Sequence, residues 1–413
     1  MIKILFMIHD LGQGGAEKVL VNLVNNMDLN KYDVSLISLF GGGVNEQFLK
    51  KGIKYRSIFK KNIPGNSKLM KLLSPEKLHS LFVKESYDIE ISYLEGPTAR
   101  IVSGCQNKNA KLISWIHVEQ HSKEIAAKAF RSFEESVKCY CKFNRIVCVS
   151  ESVKVDFCDI YPMISKVDVL YNTNETDYIL KAKNESITEQ SFKNNEIRIC
   201  GIGKIMPIKG FDKLARIHKK LIQEGFPVHT YILGIGIEKE NIERYIKENC
   251  LEKTFTFLGY QTNPYKYMAK CDLFVCASTA EGFSTAATEA LIVGIPVITT
   301  PVAGMEEMLG KENEYGIITK ATEESLYENI KDLVSHPEKL QYYKDQAKLR
   351  GKNFSKKNTH TQNIKKNNEN MNVTLLRPTR ADRETSSARA HTPPQPTYTT
   401  RPTPPPPPTT TTH

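Results

Sequence analysis

The stretch LFVCASTAEGFSTAATEALIVGIPVITT, Leu273 to Thr300, decides how this chain is read. Leu273–Ala277 is a short apolar run, the pattern of a strand buried on both faces. A polar loop follows. Ala286, Ala287, Ala290 and Leu291 then recur at helical spacing, and Gly294–Ile295–Pro296 ends the helix before a second apolar run, Pro296–Thr299. Strand, loop, helix and strand in that order make a βαβ unit. Its two acids, Glu281 and Glu289, have seven residues between them, so one lies in the loop and the other more than a turn into the helix. A helix start offers free backbone N–H groups and a positive dipole end, which suits a phosphate. A carboxylate farther along can accept hydrogen bonds from hydroxyls. The alternative is a surface glutamate and a solvated helix glutamate. Against it stand the three alanines, which keep the helix narrow, and Gly282, where the loop backbone needs freedom.

Outward from this unit, strand-like and helix-like segments alternate, the pattern of parallel sheets wound by helices. In the first half the strands are read at Lys3–Ile8, Asp33–Leu39, Ile53–Ile58, Ile89–Tyr93, Lys111–Ile116 and Arg145–Val149. The second half restarts with Ile197–Gly203, Val228–Leu233, Thr254–Leu258, Leu273–Ala277 and Pro296–Thr299. The expected organisation is α/β, with two Rossmann-like doubly wound domains facing a cleft. Residues 1–172 form the first domain, 173–195 a polar hinge, and 196–362 the second domain. Beyond 363 the composition changes from Lys/Asn-rich to Arg/Ala/Thr/Pro-rich and ends in RPTPPPPPTTTTH. Such a tail cannot bury a core and is expected to be disordered. Its abrupt change of style reads as a frameshifted or fused terminus, against a native disordered tail.

The bulk numbers exclude some classes. No apolar run approaches the roughly 18 residues of a spanning helix, and the apolar start is read as a buried strand, not a leader. Nine scattered cysteines with no paired C-x-x-C read as reduced thiols of a cytoplasmic protein. A net charge of +11 fits an anionic partner of several kinds. Nucleic acid is excluded for want of interleaved aromatic and basic residues.

Three further motifs carry chemistry. Gly12–Gln13–Gly14–Gly15–Ala16–Glu17 follows the first strand and allows close approach of a ligand, though its spacing is not that of a dinucleotide fingerprint. Gly201–Gly210 places Lys204 and Lys209 five apart on a loop that opens a helix, where paired cations can clamp a diphosphate. His117 ends an apolar strand, at the carboxyl edge where ligands of wound sheets bind.

Together these residues resemble the retaining glycosyltransferase family 4 (glycosyl transferases group 1), of GT-B fold, over roughly Met1 to Ser355. The likeness rests on Gly14–Gly15–Ala16–Glu17, Gly203…Lys209–Gly210, Glu281–Gly282–Phe283…Glu289–Ala290, and Pro296–Val297–Ile298 followed by Gly304. It implies a nucleoside-diphosphate sugar held mainly by the second domain and an acceptor held mainly by the first. By that likeness Glu289 binds ribose hydroxyls, and Glu281 with Gly282, Phe283 and Ser284 faces the donor sugar. Thr285–Ala286 backbone holds phosphate, Lys209 pairs with the diphosphate, and Gly14–Gly15 closes on it from the other side. His117 matches a family histidine near the donor sugar. The family usually has arginine where Lys204 stands, which keeps the charge and loses the bidentate fork. The family's long closing helix, expected to cross back after Asn353–Phe354–Ser355, degenerates here.

The expected reaction moves a sugar, from UDP in the first instance, to a hydroxyl of a bacterial surface glycan such as capsule or lipopolysaccharide, or to a polyprenyl-diphosphate-linked acceptor. Retention is expected by likeness. No cofactor or metal is expected, because no D-x-D motif occurs in the region read as folded and Lys204, Lys209 and helix amides supply positive charge. A lysine-rich region, Lys50 to Lys77, is expected either to meet an anionic membrane surface on its cytoplasmic side or to be a solvated face. Alternatives are a nucleotide-sugar epimerase of the same fold and a non-catalytic GT-B partner protein.

Overall fold

A computed structural model describes residues 1–61, 70–187, 192 and 195–354. The tail, the end of the expected hinge and Lys68 of the basic stretch lie outside the described residues. The chain forms two parallel sheets. The first contains β1 (Ile2–Ile8), β2 (Tyr32–Phe40), β3 (Lys54–Phe59), β4 (Ile89–Ser92), β5 (Lys111–Ile116), β6 (Arg145–Cys148) and β7 (Val167–Val169), in the order β3-β2-β1-β4-β5-β6-β7. The second contains β8 (Ile197–Ile202), β9 (Val228–Leu233), β10 (Phe255–Gly259), β11 (Leu273–Cys276), β12 (Val297–Thr299) and β13 (Ile317–Ile318), in the order β10-β9-β8-β11-β12-β13.

The order follows from the strands. β4, β9, β11 and β12 are buried along their whole length, so they need helices on both faces and take central or covered places. In each sheet the first strand is flanked by the second and the fourth. Ile4 of β1 lies beside both Val34 and Ile89, and Ile199 of β8 beside both Thr230 and Leu273. Chains leaving the two neighbours go opposite ways, which opens a crevice at the carboxyl ends of the central strands.

The apolar core joins the halves. One buried cluster runs from Ile4 and Met7 of the first sheet through Phe283, Ala287, Ala290 and Met305 of the second half. Each fully buried Leu or Ile contributes about 2 kcal/mol. A second cluster, around Leu214, Ile232 and Ile330, fills the far side of the second sheet.

Two differences from the sequence reading have physical causes. The expected polar hinge carries a helix, Thr176–Ala182, whose Ile179 and Ala182 are buried against the Thr285–Val293 helix. Two apolar residues three apart give too little periodicity to announce it. β7 and β13, three and two residues long, are likewise too short to show a period. The last described helix, Pro337–Asn353, packs on Thr285–Val293. A Cβ at Gly351 would sit 2.2 Å from Leu291 O. Where the expected return helix would begin, Phe354 O accepts from Thr176 Oγ1 at 3.0 Å, and Arg350 donates to Met308 O at 2.8 Å. The described chain thus ends tied to both the linker and the second half.

Candidate active site

The two crevices face each other. Gly12–Lys18 leaves β1, Leu94–Glu95 leaves β4, Gly203–Lys209 leaves β8 and Ala277–Glu281 leaves β11. Residues of all four segments, with the start of the Thr285–Val293 helix, line one cavity of about 720 Å³. Every site residue singled out from the sequence lines it: Gly14, Gly15, His117, Gly203, Lys204, Lys209, Glu281, Gly282, Phe283, Ser284, Thr285, Ala286 and Glu289.

The wall from the second sheet is charged. Lys209 Nζ donates to Glu281 Oε1 at 2.6 Å, and Ser278 Oγ donates to the same oxygen at 2.6 Å. Burial pulls the Lys209 pKa down, but the Glu281 carboxylate more than offsets it, so the ammonium is held above its ordinary range. Lys204 is exposed at the rim. Ser284 caps the helix, accepting from Ala287 N at 3.4 Å, a cap that contributes about 1 kcal/mol. The N–H groups of Thr285 and Ala286, which line the cavity, have no partner within the helix.

A second helix start comes from the other sheet. Gly15 begins the Gly15–Asn25 helix, and a Cβ there would lie 2.6 Å from Thr285 Oγ1. Two positive helix ends therefore meet with hardly a side chain between them, beside two lysines. The arrangement can hold a doubly charged anion. Gln13 Nε2, donating to Ile235 O at 2.6 Å, ties the glycine turn to the second half.

The wall from the first sheet differs. His117 is buried and its Nε2 has no hydrogen-bond partner among the described residues. Burial lowers its pKa to about 3, so the imidazole is neutral at ordinary pH. Its backbone N–H donates to Glu95 Oε2 at 2.8 Å, and burial pushes the Glu95 carboxyl up. Burial also raises Glu17, whose carboxylate folds over Gly14; a Cβ at position 14 would be 2.2 Å from Oε2. Asp10 is the exception. The hydrogen bond from His9 holds it below the usual carboxylate range, against the opposing effect of burial.

Gly282 corrects the expectation made of it. Its φ is not among the positive ones. The glycine is needed because the chain touches the opposite wall: a Cβ would sit 1.5 Å from His117 O. Ser150 Oγ donates to Gly282 O at 3.1 Å in the same contact. Nearby, the N–H of Glu151 donates to Glu307 Oε2 at 3.0 Å, so a carboxylate of one half caps a helix of the other. Of the three alanines, Ala287 and Ala290 lie in the core and Ala286 lines the cavity.

Sequence reasoning missed Lys18, Tyr265 and Glu95. Glu289, only 4% exposed, accepts at Oε1 from Lys18 Nζ at 2.7 Å and from Tyr265 OH at 2.9 Å. Lys18 lies three residues after Gly15, on the same helix face, which is the one signal the sequence held. Tyr265 gave none, since a tyrosine after Asn263–Pro264 reads as a loop residue.

Two family models match the chain. Glyco_transf_4, Glycosyltransferase Family 4, matches residues 13–178. Glycos_transf_1, Glycosyl transferases group 1, matches residues 182–350. Between them they take in most of the chain. Among curated proteins it is similar to the N-acetylgalactosamine-N,N'-diacetylbacillosaminyl-diphospho-undecaprenol 4-alpha-N-acetylgalactosaminyltransferase of Campylobacter jejuni, 27% identical over 372 residues, covering 86% of this chain and 96% of that one. It is also similar to the poly(ribitol-phosphate) alpha-N-acetylglucosaminyltransferase of Staphylococcus aureus, 26% identical over 219 residues, covering 52% of this chain and 42% of that one. In fold it matches Anabaena HepE in complex with UDP-glucose, with a TM-score of 0.69 and 17% identity, over 89% of this chain and 99% of that chain.

Proposed function

The chain belongs to glycosyltransferase family 4 and has the GT-B fold; from that premise we propose that it moves a sugar from UDP to a hydroxyl of a bacterial surface glycan or lipid-linked oligosaccharide, with retention at the anomeric carbon. The observation that carries the reading is the meeting of the two helix starts, at Gly15 and Thr285, beside Lys204 and Lys209. That is where a diphosphate fits. Residues 1–172 then serve mainly the acceptor and 196–362 mainly the donor, with Gly15 and His117 reaching the donor from the first half.

In this reading Glu289 takes the ribose hydroxyls and the sugar lies toward Glu281 and His117. The neutral imidazole can accept from, or donate to, a sugar hydroxyl without placing a positive charge beside the reacting carbon. As the anomeric C–O bond to phosphate breaks, Lys209 and Lys204 and the helix amides stabilise the charge on the leaving diphosphate. The acceptor oxygen bonds the anomeric carbon from the same face, and its proton passes to the leaving phosphate. No side chain is assigned as a general base. Retention is supported by the alpha transfer in the names of both curated relatives. UDP-hexosamines are themselves α-linked, so an alpha product keeps the configuration. In this reading Lys204, Lys209 and the helix amides take the part a metal would play, and turnover is expected without one.

The acceptor's setting follows from charge. Among the described residues no helix is long and apolar enough to cross a membrane. The basic stretch, including Lys50, Lys51, Lys54, Arg56, Lys60, Lys61, Lys71 and Lys77, would hold the protein peripherally on an acidic cytoplasmic leaflet. Co-sedimentation with acidic liposomes should then be strong at low salt and lost at high salt; no binding at low salt contradicts it.

The reading is tested by thermal shift against UDP-, GDP- and ADP-sugars, followed by incubation with acceptor. The expected result is stabilisation by a UDP-sugar, a mass gain on the acceptor and free UDP. A rearranged donor with no mass gain would point to an epimerase. No shift with any donor would remove the proposal.

A further inference from the structure

The proposed seat of the ribose is a single carboxylate, and both hydrogen bonds it receives end on the same oxygen. Lys18 Nζ reaches Glu289 Oε1 at 2.7 Å and the Tyr265 hydroxyl at 2.6 Å, while that hydroxyl reaches Oε1 at 2.9 Å. The three groups close a triangle. Burial, and then Glu289, raise the Tyr265 phenol far above its ordinary range, so it stays protonated. Its proton is donated to Glu289 while its oxygen accepts from Lys18. No described residue hydrogen-bonds Oε2, and Glu289 lines the cavity.

The triangle spans the cleft. Lys18 sits on the Gly15–Asn25 helix of the first sheet, whereas Tyr265 and Glu289 belong to the second. Tyr265 is itself steadied from the linker. The ring of Tyr178, on the Thr176–Ala182 helix, meets it edge-on with centroids 6.1 Å apart. At the far end of the first helix, Asn26 Nδ2 donates to Glu175 Oε1 at 2.8 Å. A carboxylate held at one oxygen by two donors loses its rotational freedom and presents the other oxygen in one direction.

We infer that Tyr265 and Lys18 are positioning residues for the donor: they clamp Glu289 Oε1 so that Oε2 alone meets the ribose hydroxyls, and Lys18 makes that clamp depend on closure of the two halves. This rests on the reading of Glu289 given above and adds the source of its selectivity. A fixed acceptor that loses its hydroxyl partner is left buried and unpaired, so the site rejects a deoxyribose. A freely rotating carboxylate can turn to the clamp's side or to water and discriminates less.

The test is isothermal titration of UDP and of 2′,3′-dideoxy-UDP into the full chain. Wild type should prefer UDP by about tenfold or more. Y265F and K18M should bring the two affinities to within about threefold by weakening UDP and leaving the dideoxy analogue unchanged, and K18R should restore most of the preference. Equal weakening of both nucleotides in a folded variant overturns the inference, as does a variant that keeps the full preference. Lys18 is partly exposed, so K18M keeps the test open should Y265F fail to fold. A wild-type protein that binds neither nucleotide overturns the ribose reading, and this inference with it. Wild type that binds both equally overturns the inference alone.

Discussion

Behind β8 and β11 the chain sets Lys209 and Glu281, paired as ammonium and carboxylate, with Lys204 exposed at the rim. Behind β4 and β5, on the facing wall, it sets Glu95 and His117, and Glu17 joins them from beyond β1; burial drives all three toward their uncharged forms. The strand orders are the same, β3-β2-β1-β4 against β10-β9-β8-β11, so the backbone crevices correspond. What differs is how much water and countercharge each wall allows its polar groups. A charged wall suits an anionic donor and the charge that develops when it leaves. A wall of neutral hydrogen-bonding groups suits hydroxyls, which a fixed charge would compete for.

The comparison can be broken where the walls touch. Gly282→Ala should be the most damaging small change, because its Cβ would strike a backbone carbonyl, His117 O, that cannot rotate away. Expected is a fall in kcat/KM of about 100-fold, the scale of an ångström's misplacement. Gly15→Ala meets only the Thr285 side chain, its Oγ1 at 2.6 Å and its Cβ at 3.2 Å, of which the hydroxyl can turn, and should cost about tenfold or less. Equal losses in steady-state kinetics of the two variants would mean the walls are not in the contact described.

The neutral wall can be sharpened by pH. His117 binds its proton only near pH 3 when folded, whereas in the unfolded chain it does so near 6.5. Its contribution to stability is therefore complete above pH 6.5 and is lost as pH falls from there toward 3. Between pH 6.5 and 5.0, wild type should lose about 2 kcal/mol more than His117→Gln, measured by urea denaturation at each pH. Parallel pH profiles would show that the imidazole is not buried neutral. The charged wall predicts the smallest effect of all. If two lysines and two helix starts supply the positive charge, turnover after EDTA treatment should stay within about twofold of the untreated rate. Complete loss restored by manganese would assign that task to a metal.

How far the sequence discloses this site depends on the distance over which each feature acts. Glu281 and Glu289 are legible because one helix and its preceding loop fix their relation. Lys204 and Lys209 are legible for the same reason. Gly282 was singled out for the wrong cause, since backbone freedom is a local property and contact with His117 O joins residues 165 positions apart. Lys18 with Tyr265 was invisible, because its members come from two sheets and meet only after both have folded. The strands were legible where long apolar runs mark burial on both faces, and not in β7 or β13, where two or three residues suffice to extend an edge.

In the proposed function the donor is gripped between the walls, its diphosphate at Lys209 and its ribose at Glu289. That grip is tested most directly by titrating UDP-sugar into wild type, Lys209→Ala and Glu289→Ala and following turnover of each. A loss of about 100-fold or more in kcat/KM is expected for both, with weaker donor binding for Glu289→Ala. Unchanged affinity and unchanged turnover in either variant would contradict it.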